Sequence, residues 1–165
     1  MIFGMPPLTF AHVVISLIGV ASGFVVLFGF FVRKRLPDWN LIFLLSTIAT
    51  SVTGFIFFPF EHFLPSHGVA MLSLVVLALA CVALYVRHLR GAWSRVYAVT
   101  SVIALYFNVF VLVVQLFLKV PSLKALAPTQ KEPPFQLTQL VVLVLFVLFG
   151  IVAAIRFGSE SPAPA

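Results

Sequence analysis

Four residues with metal-binding side chains are far apart in the sequence: His12, Glu61, His62 and His67. Imidazole nitrogens bind haem iron, copper and zinc, and a neighbouring carboxylate suits zinc. Met71 follows His67 by four residues and shares its helical face, and a histidine with a methionine is another axial ligand set of haem iron. The sequence therefore predicts haem ligands among His12, His67, His62 and Met71, or a transition-metal site formed by His12, Glu61, His62 and His67.

Membrane-spanning helices are the elements that would bring these residues together. Hydrophobic residues make up 62% of the 165 residues and charged residues only 8%, against about 25% charged residues in a soluble domain. Five apolar runs have the length that a bilayer core requires: residues 8–32, 39–60, 68–86, 96–118 and 137–155. None alternates like a barrel strand. The prediction is an all-α integral membrane bundle of five transmembrane helices, one domain over residues 1–157.

The basic residues between these runs predict the orientation of the bundle. Seven of them share one side: Arg33, Lys34, Arg35, Arg87, Arg90, Arg95 and Arg156. The other side has Lys119, Lys124 and Lys131. Cytoplasmic loops carry the excess of lysine and arginine, so the N-terminus is expected outside and the C-terminus in the cytoplasm. The net charge of +6 then reflects topology and attraction to anionic lipids, and no nucleic-acid partner is needed.

With this orientation, all four metal-binding side chains lie near the outer face, and the remaining segments are connections. The first run is expected to be a retained helix, because no basic residue precedes it as in a signal peptide. Residues 119–135 form a proline-rich outer loop in which Pro121 is suited to open a short helical turn. Residues 158–165 are small and polar and are expected to form a disordered cytoplasmic tail.

A second polar feature is a stripe along the fourth span. Ser94, Ser101, Asn108 and Gln115 recur every seven residues, close to two helical turns. Asn108 is near the bilayer centre, where an unpaired amide is costly, so it should face the bundle interior. Two interpretations remain open, namely interhelical packing and a polar path or quinone pocket through the bundle. The spans lack a central carboxylate or lysine, which disfavours a proton pump.

Purely structural interpretations of these features, without a bound ligand, remain open as well. Histidine at a helix end is often an amphipathic interface residue, and Gly19 with Gly23 is typical of a helix-packing face. The chain contains no phosphate-binding loop, nucleophile elbow or HExxH signature. The sequence therefore does not favour an enzyme.

Residues 6–86 resemble a group of known proteins in layout. His12 follows Pro6, Pro7 and Leu8, Thr53 and Gly54 lie near the outer end of the second span, and His67 opens the third. This layout resembles small uncharacterised multi-span proteins of the bacterial inner membrane, which are similar to b-type cytochrome membrane subunits. Two-haem cytochromes place histidine pairs on both sides of the membrane, whereas only the outer side has candidates here. The resemblance therefore implies at most one haem, ligated by His12 and His67.

Three functions are compatible with these observations. The first is electron transfer or quinone-linked redox chemistry through one haem b or a metal at the outer face. The second is a non-catalytic membrane subunit or assembly factor that packs against partner helices or a second copy. The third is a small transporter or channel that uses the Asn108 stripe.

Overall fold

The computed structural model describes residues 6–57 and 65–158, including all their side chains except those of residues 55–57 and 65–67. These residues form helices and turns only, which confirms the all-α prediction for this part of the chain. The helices are α1 (Pro7–Phe31), α2 (Pro37–Phe57), α3 (Pro65–Cys81), α4 (Trp93–Lys119), α5 (Pro121–Leu126) and α6 (Pro133–Phe157). A π-helical turn, Val82–Val86, continues α3.

Four helical segments are long and apolar enough to cross a membrane: Pro7–Phe31, Gly68–Val86, Trp93–Lys119 and Pro133–Phe157. The remaining long helix, α2, has 21 residues, which also corresponds to the thickness of a bilayer core at 1.5 Å per residue. Its first turn contains the polar residues Asp38 and Asn40. The predicted membrane bundle is therefore confirmed at the level of four apolar helices.

Proline opens every long helix except α4. The first residues of these helices are Pro7, Pro37, Pro65 and Pro133, and Pro121 opens the short α5. Proline suits this position because the first helical N–H groups have no partner within the helix, and its ring fixes a helical φ. The expected helical turn at Pro121 is thus present.

The central helix of the bundle is α4, which contacts α1, α3, α5 and α6. Helix α2 packs between α1 and α3, and α6 packs against α4 and α1. Within the most apolar 18-residue segment of α4, 39% of the residues are buried, whereas only 17% are buried in the corresponding segment of α6. Most of α6 therefore faces outward from the bundle.

A close approach between helices occurs at Gly23 of α1. A Cβ atom built there would lie 2.5 Å from Leu105 Cδ1 of α4 and 2.9 Å from Phe43 Cε2 of α2. Near the C-terminal end of α1, the rings of Phe30, Tyr97 and Phe157 pack together and join α1, α4 and α6, with centroids 4.7 to 6.3 Å apart. Aromatic pairs at such distances stabilise a core beyond simple area burial.

The seven basic residues lie together at one end of the bundle. Arg156 Nη1 of α6 donates a hydrogen bond of 3.0 Å to Phe31 O at the end of α1, and the side chain of Arg95 of α4 lies against Gly158. We call this end the basic end, and it comprises Arg33, Lys34, Arg35, Arg87, Arg90, Arg95 and Arg156. The opposite end, where α1 begins, is called the His12 end.

Candidate functional site

His12 is held against α2 by a hydrogen bond. The imidazole is half-buried in the second turn of α1, and its Nδ1 lies 2.8 Å from Thr53 Oγ1. The Thr53 hydroxyl also lies 2.7 Å from Ala49 O, to which it donates. Because a carbonyl oxygen only accepts, the hydroxyl proton is directed to Ala49 and His12 Nδ1–H must be the donor to Thr53. Nε2 is then the imidazole nitrogen that carries the lone pair with which histidine binds a metal.

The backbone around this contact also positions the ring. A Cβ atom at Gly54 would lie 3.9 Å from His12 Cε1, so the imidazole packs against α2 where the helix has no side chain. Ser16 Oγ donates a hydrogen bond of 2.8 Å to His12 O within α1. The ring thus contacts α2 through two neighbouring atoms, Nδ1 at Thr53 and Cε1 at Gly54.

Lys119, the last residue of α4, lies at the same end of the bundle as His12 and is exposed. An ammonium at this end would attract a ligand that carries carboxylates, such as haem with its anionic propionate groups.

The other predicted ligands are only partly described by the structure. Glu61 and His62 lie outside the described residues, and so does the side chain of His67, whose backbone is in the first turn of α3. Met71 is 54% exposed on the surface of α3. Among the described side chains, no three histidines, cysteines or carboxylates come together. Ligation by these residues therefore stays a prediction.

Polar side chains in the middle of the bundle form a second constellation. Asn108 Nδ2 of α4 donates to Thr47 Oγ1 of α2 at 3.1 Å. One turn along α2, Ser51 Oγ donates to Thr47 O at 2.9 Å and lies 3.2 Å from Ser73 Oγ of α3. We call Asn108, Thr47, Ser51 and Ser73 the polar seam. It links three helices by hydrogen bonds, as the cost of an unpaired amide predicts for Asn108.

The backbone of α1 packs against the polar seam at Gly19. A Cβ atom there would lie 3.3 Å from both Ser46 Oγ and Thr47 Oγ1, and 3.4 Å from Asn108 Nδ2. The helices thus meet at van der Waals distance around the hydrogen bonds. Of the other stripe residues, Ser101 is buried and Gln115 is half-buried. Transport along the stripe would require this contact set to open.

Several of these residues have no place in the sequence prediction. Thr53 appears there only as part of a layout, while Thr47, Ser51 and Ser73 are absent from it. On α2, Ser46, Thr50 and Gly54 recur every four residues, and Thr47 and Ser51 form a second row with the same spacing. Spacing alone does not distinguish two such faces, because both contain small polar residues. A search for paired stripes across α2 and α3 would have included Thr47 and Ser51.

Comparison with known proteins finds no match for this chain among family models, curated proteins or solved structures.

Proposed function

We propose that the chain is a five-span protein of the bacterial inner membrane that binds one haem b at its His12 end, with His12 as a ligand of the iron. The observation that carries this proposal is the hydrogen bond between His12 Nδ1–H and Thr53 Oγ1. Histidines that ligate a metal usually donate their other N–H to a fixed acceptor, which sets the tautomer and the ring orientation. Thr53 is such an acceptor, because its own proton is directed to Ala49 O.

His67, His62 and Met71 stay the candidates for a second ligand of the iron, and Lys119 could pair with a propionate. A bound haem supplies one-electron chemistry. The residues of this chain would hold and orient it at the membrane boundary, where electrons can pass between a quinone in the bilayer and a partner outside it.

The proposed topology places the N-terminus outside and the C-terminus in the cytoplasm, with α2 as the fifth span. The support is the basic end, since cytoplasmic loops are enriched in arginine and lysine. Cysteine accessibility tests the topology in intact cells, with Cys81, the only cysteine, replaced by serine. A cysteine at Thr129 should react with an impermeant maleimide, and one at Lys34 should react only after permeabilisation. The reverse pattern would contradict the orientation.

The haem proposal is tested by the composition of the purified protein. Extraction as the pyridine haemochrome should give about one haem b per chain, while metal analysis should find no other transition metal in stoichiometric amount. A stoichiometric metal without haem would replace the proposal by a mononuclear metal site. Absence of both would remove cofactor binding.

A second function is favoured by the surface between α4 and α6. A groove of about 330 Å³ on this face is lined by aliphatic and aromatic side chains and by Gly150. Its walls include Ile103 and Tyr106 of α4 and Leu143 and Phe146 of α6. A helix of another membrane protein would bury this surface by van der Waals packing, so a non-catalytic membrane subunit is the alternative. Gentle solubilisation should then yield a stoichiometric partner, whereas an isolated monomer would count against it.

A further inference from the structure

The charged side chains of the described residues are distributed unequally between the two ends. The basic end has seven arginines and lysines, and its only described carboxylate is Asp38. The His12 end has three lysines and Glu132. A surface with this excess of positive charge attracts anionic lipid headgroups when it lies at a membrane boundary.

Within the basic end, the connection between α3 and α4 has a distinct geometry. The Arg87 guanidinium carbon lies 5.0 Å from the centroid of the Trp93 ring, so the guanidinium is held by a cation–π contact. Leu89, between them, is only 2% exposed and anchors the connection in the core. Arg87 and Arg90 are both exposed. Two arginines are thus presented outward by a short connection that is fixed at its centre.

Two other arginines of the basic end have contacts within the bundle. Arg156 donates to Phe31 O, and Arg95 lies against Gly158. Arg87 and Arg90, by contrast, face outward beside an apolar surface, because Tyr85 and Val86 at the end of the π-helical turn are 51% and 64% exposed. An exposed apolar surface next to two arginines is complementary to a phospholipid. The acyl chains would contact the apolar residues, and the phosphate would contact the arginines.

We propose that this connection is a binding site for anionic phospholipids, in which Arg87 and Arg90 bind the headgroup phosphate and Tyr85 and Val86 contact the acyl chains. A planar guanidinium binds phosphate through two parallel hydrogen bonds. The stacking on Trp93 orders the Arg87 side chain in advance, so less conformational freedom is lost on binding. The site lies at the end opposite to His12 and is independent of the proposed haem.

Native mass spectrometry of the full chain in detergent tests this site, with phosphatidylglycerol and phosphatidylcholine as probes. Phosphatidylcholine has the same phosphate but also a quaternary ammonium, which two arginines repel, so we expect the wild type to bind phosphatidylglycerol about tenfold more tightly than phosphatidylcholine. The double variant Arg87→Gln/Arg90→Gln should lose most of this preference. The matched control Lys124→Gln/Lys131→Gln removes the same charge at the His12 end and should retain the preference.

Two further arms separate the proposed site from general electrostatic attraction. Trp93→Leu keeps both arginines but removes the stacking, and should weaken phosphatidylglycerol binding while leaving phosphatidylcholine binding unchanged. Inorganic phosphate at the same concentration as the lipid should not displace phosphatidylglycerol, because it lacks the acyl contacts. Equal binding of the two lipids by the wild type would overturn the proposal. So would equal losses in the arginine and lysine double variants, each shown to be folded by circular dichroism.

Discussion

Asn108 of α4 donates a hydrogen bond of 3.1 Å to Thr47 of α2 at a point where the backbone of α1 also approaches. Each partner lies within a long helix, far from either end. The contact therefore joins helices in a region where water is not available as an alternative partner if the bundle is embedded in a bilayer. Its strength and its specificity can both be measured.

The hydrogen bond between Asn108 and Thr47 should show a measurable coupling energy. In a double-mutant cycle with Asn108→Leu and Thr47→Val, we expect a coupling of about 0.6 kcal/mol and no more than about 1.7 kcal/mol. Reversible unfolding in mixed micelles provides the free energies. Thr50→Val is the control partner, because the Thr50 hydroxyl makes no hydrogen bond within the described part of the chain. Equal coupling of Asn108 to Thr47 and to Thr50 would show that the hydrogen bond is not its source.

The close packing of α1 predicts different responses at two glycines. Gly23→Ala would place a Cβ atom 2.5 Å from Leu105 Cδ1 and should destabilise the bundle by about 1–3 kcal/mol through overpacking. At Gly150 of α6, the nearest atom to an added Cβ is Val102 Cγ1 at 3.8 Å, so Gly150→Ala should be close to neutral or stabilising. Thermal unfolding in detergent compares the two variants. A midpoint that falls as far for Gly150→Ala as for Gly23→Ala would contradict this packing.

The positions of the long helices could be predicted from hydropathy, but their ends could not. The first run, residues 8–32, nearly coincides with α1, Pro7–Phe31. The last run, residues 137–155, lies inside the longer α6, Pro133–Phe157. Hydropathy reports which residues suit the lipid core, whereas a helix continues as long as its backbone hydrogen bonds do. The first turn of α6 includes two prolines and is helical because Gln136 N donates a hydrogen bond of 3.3 Å to Glu132 O.

The candidate site was predictable only as a set of residue types. The sequence indicates His12 as an ionisable residue at membrane depth, but its partner Thr53 is 41 residues away and belongs to a stretch with several similar hydroxyls. Which hydroxyl meets the imidazole depends on how α1 and α2 are rotated against each other, and Gly54 permits the approach. The π-helical turn after Cys81 is a backbone feature without any hydropathy signal.

The turn before α6 should respond to pH through Glu132. Desolvation raises the pKa of this carboxyl, but the hydrogen bonds that it accepts from the Thr129 hydroxyl and from the backbone of Thr129 and Lys131 outweigh this effect and lower it. A lowered pKa in the folded state means that the stabilisation is present above the pKa of the unfolded chain and is lost as the pH falls through the lower, folded value. Amide exchange of Thr129 and Lys131 should therefore lose protection in strongly acidic solution.

Two variants check this assignment. Glu132→Gln should remove the pH dependence of protection in the turn, because the amide does not titrate. Thr129→Val should move the carboxyl titration of Glu132 upward, as seen by NMR of the side chain, because one hydrogen bond to the ionised form is lost. An unchanged titration in Thr129→Val would mean that the hydroxyl does not contribute.

The most direct test of the central claim is the reduced-minus-oxidised absorption spectrum of the purified protein, compared between matched variants. We predict the bands of one haem b per chain in the wild type and their loss in His12→Ala, with His88→Ala, at the basic end, as the control that retains them. Thr53→Val should weaken haem affinity by about 10–100-fold through the lost partner of Nδ1, while Thr50→Val should leave it unchanged. A wild type without haem bands, or a His12→Ala variant that retains them in full, would contradict the account.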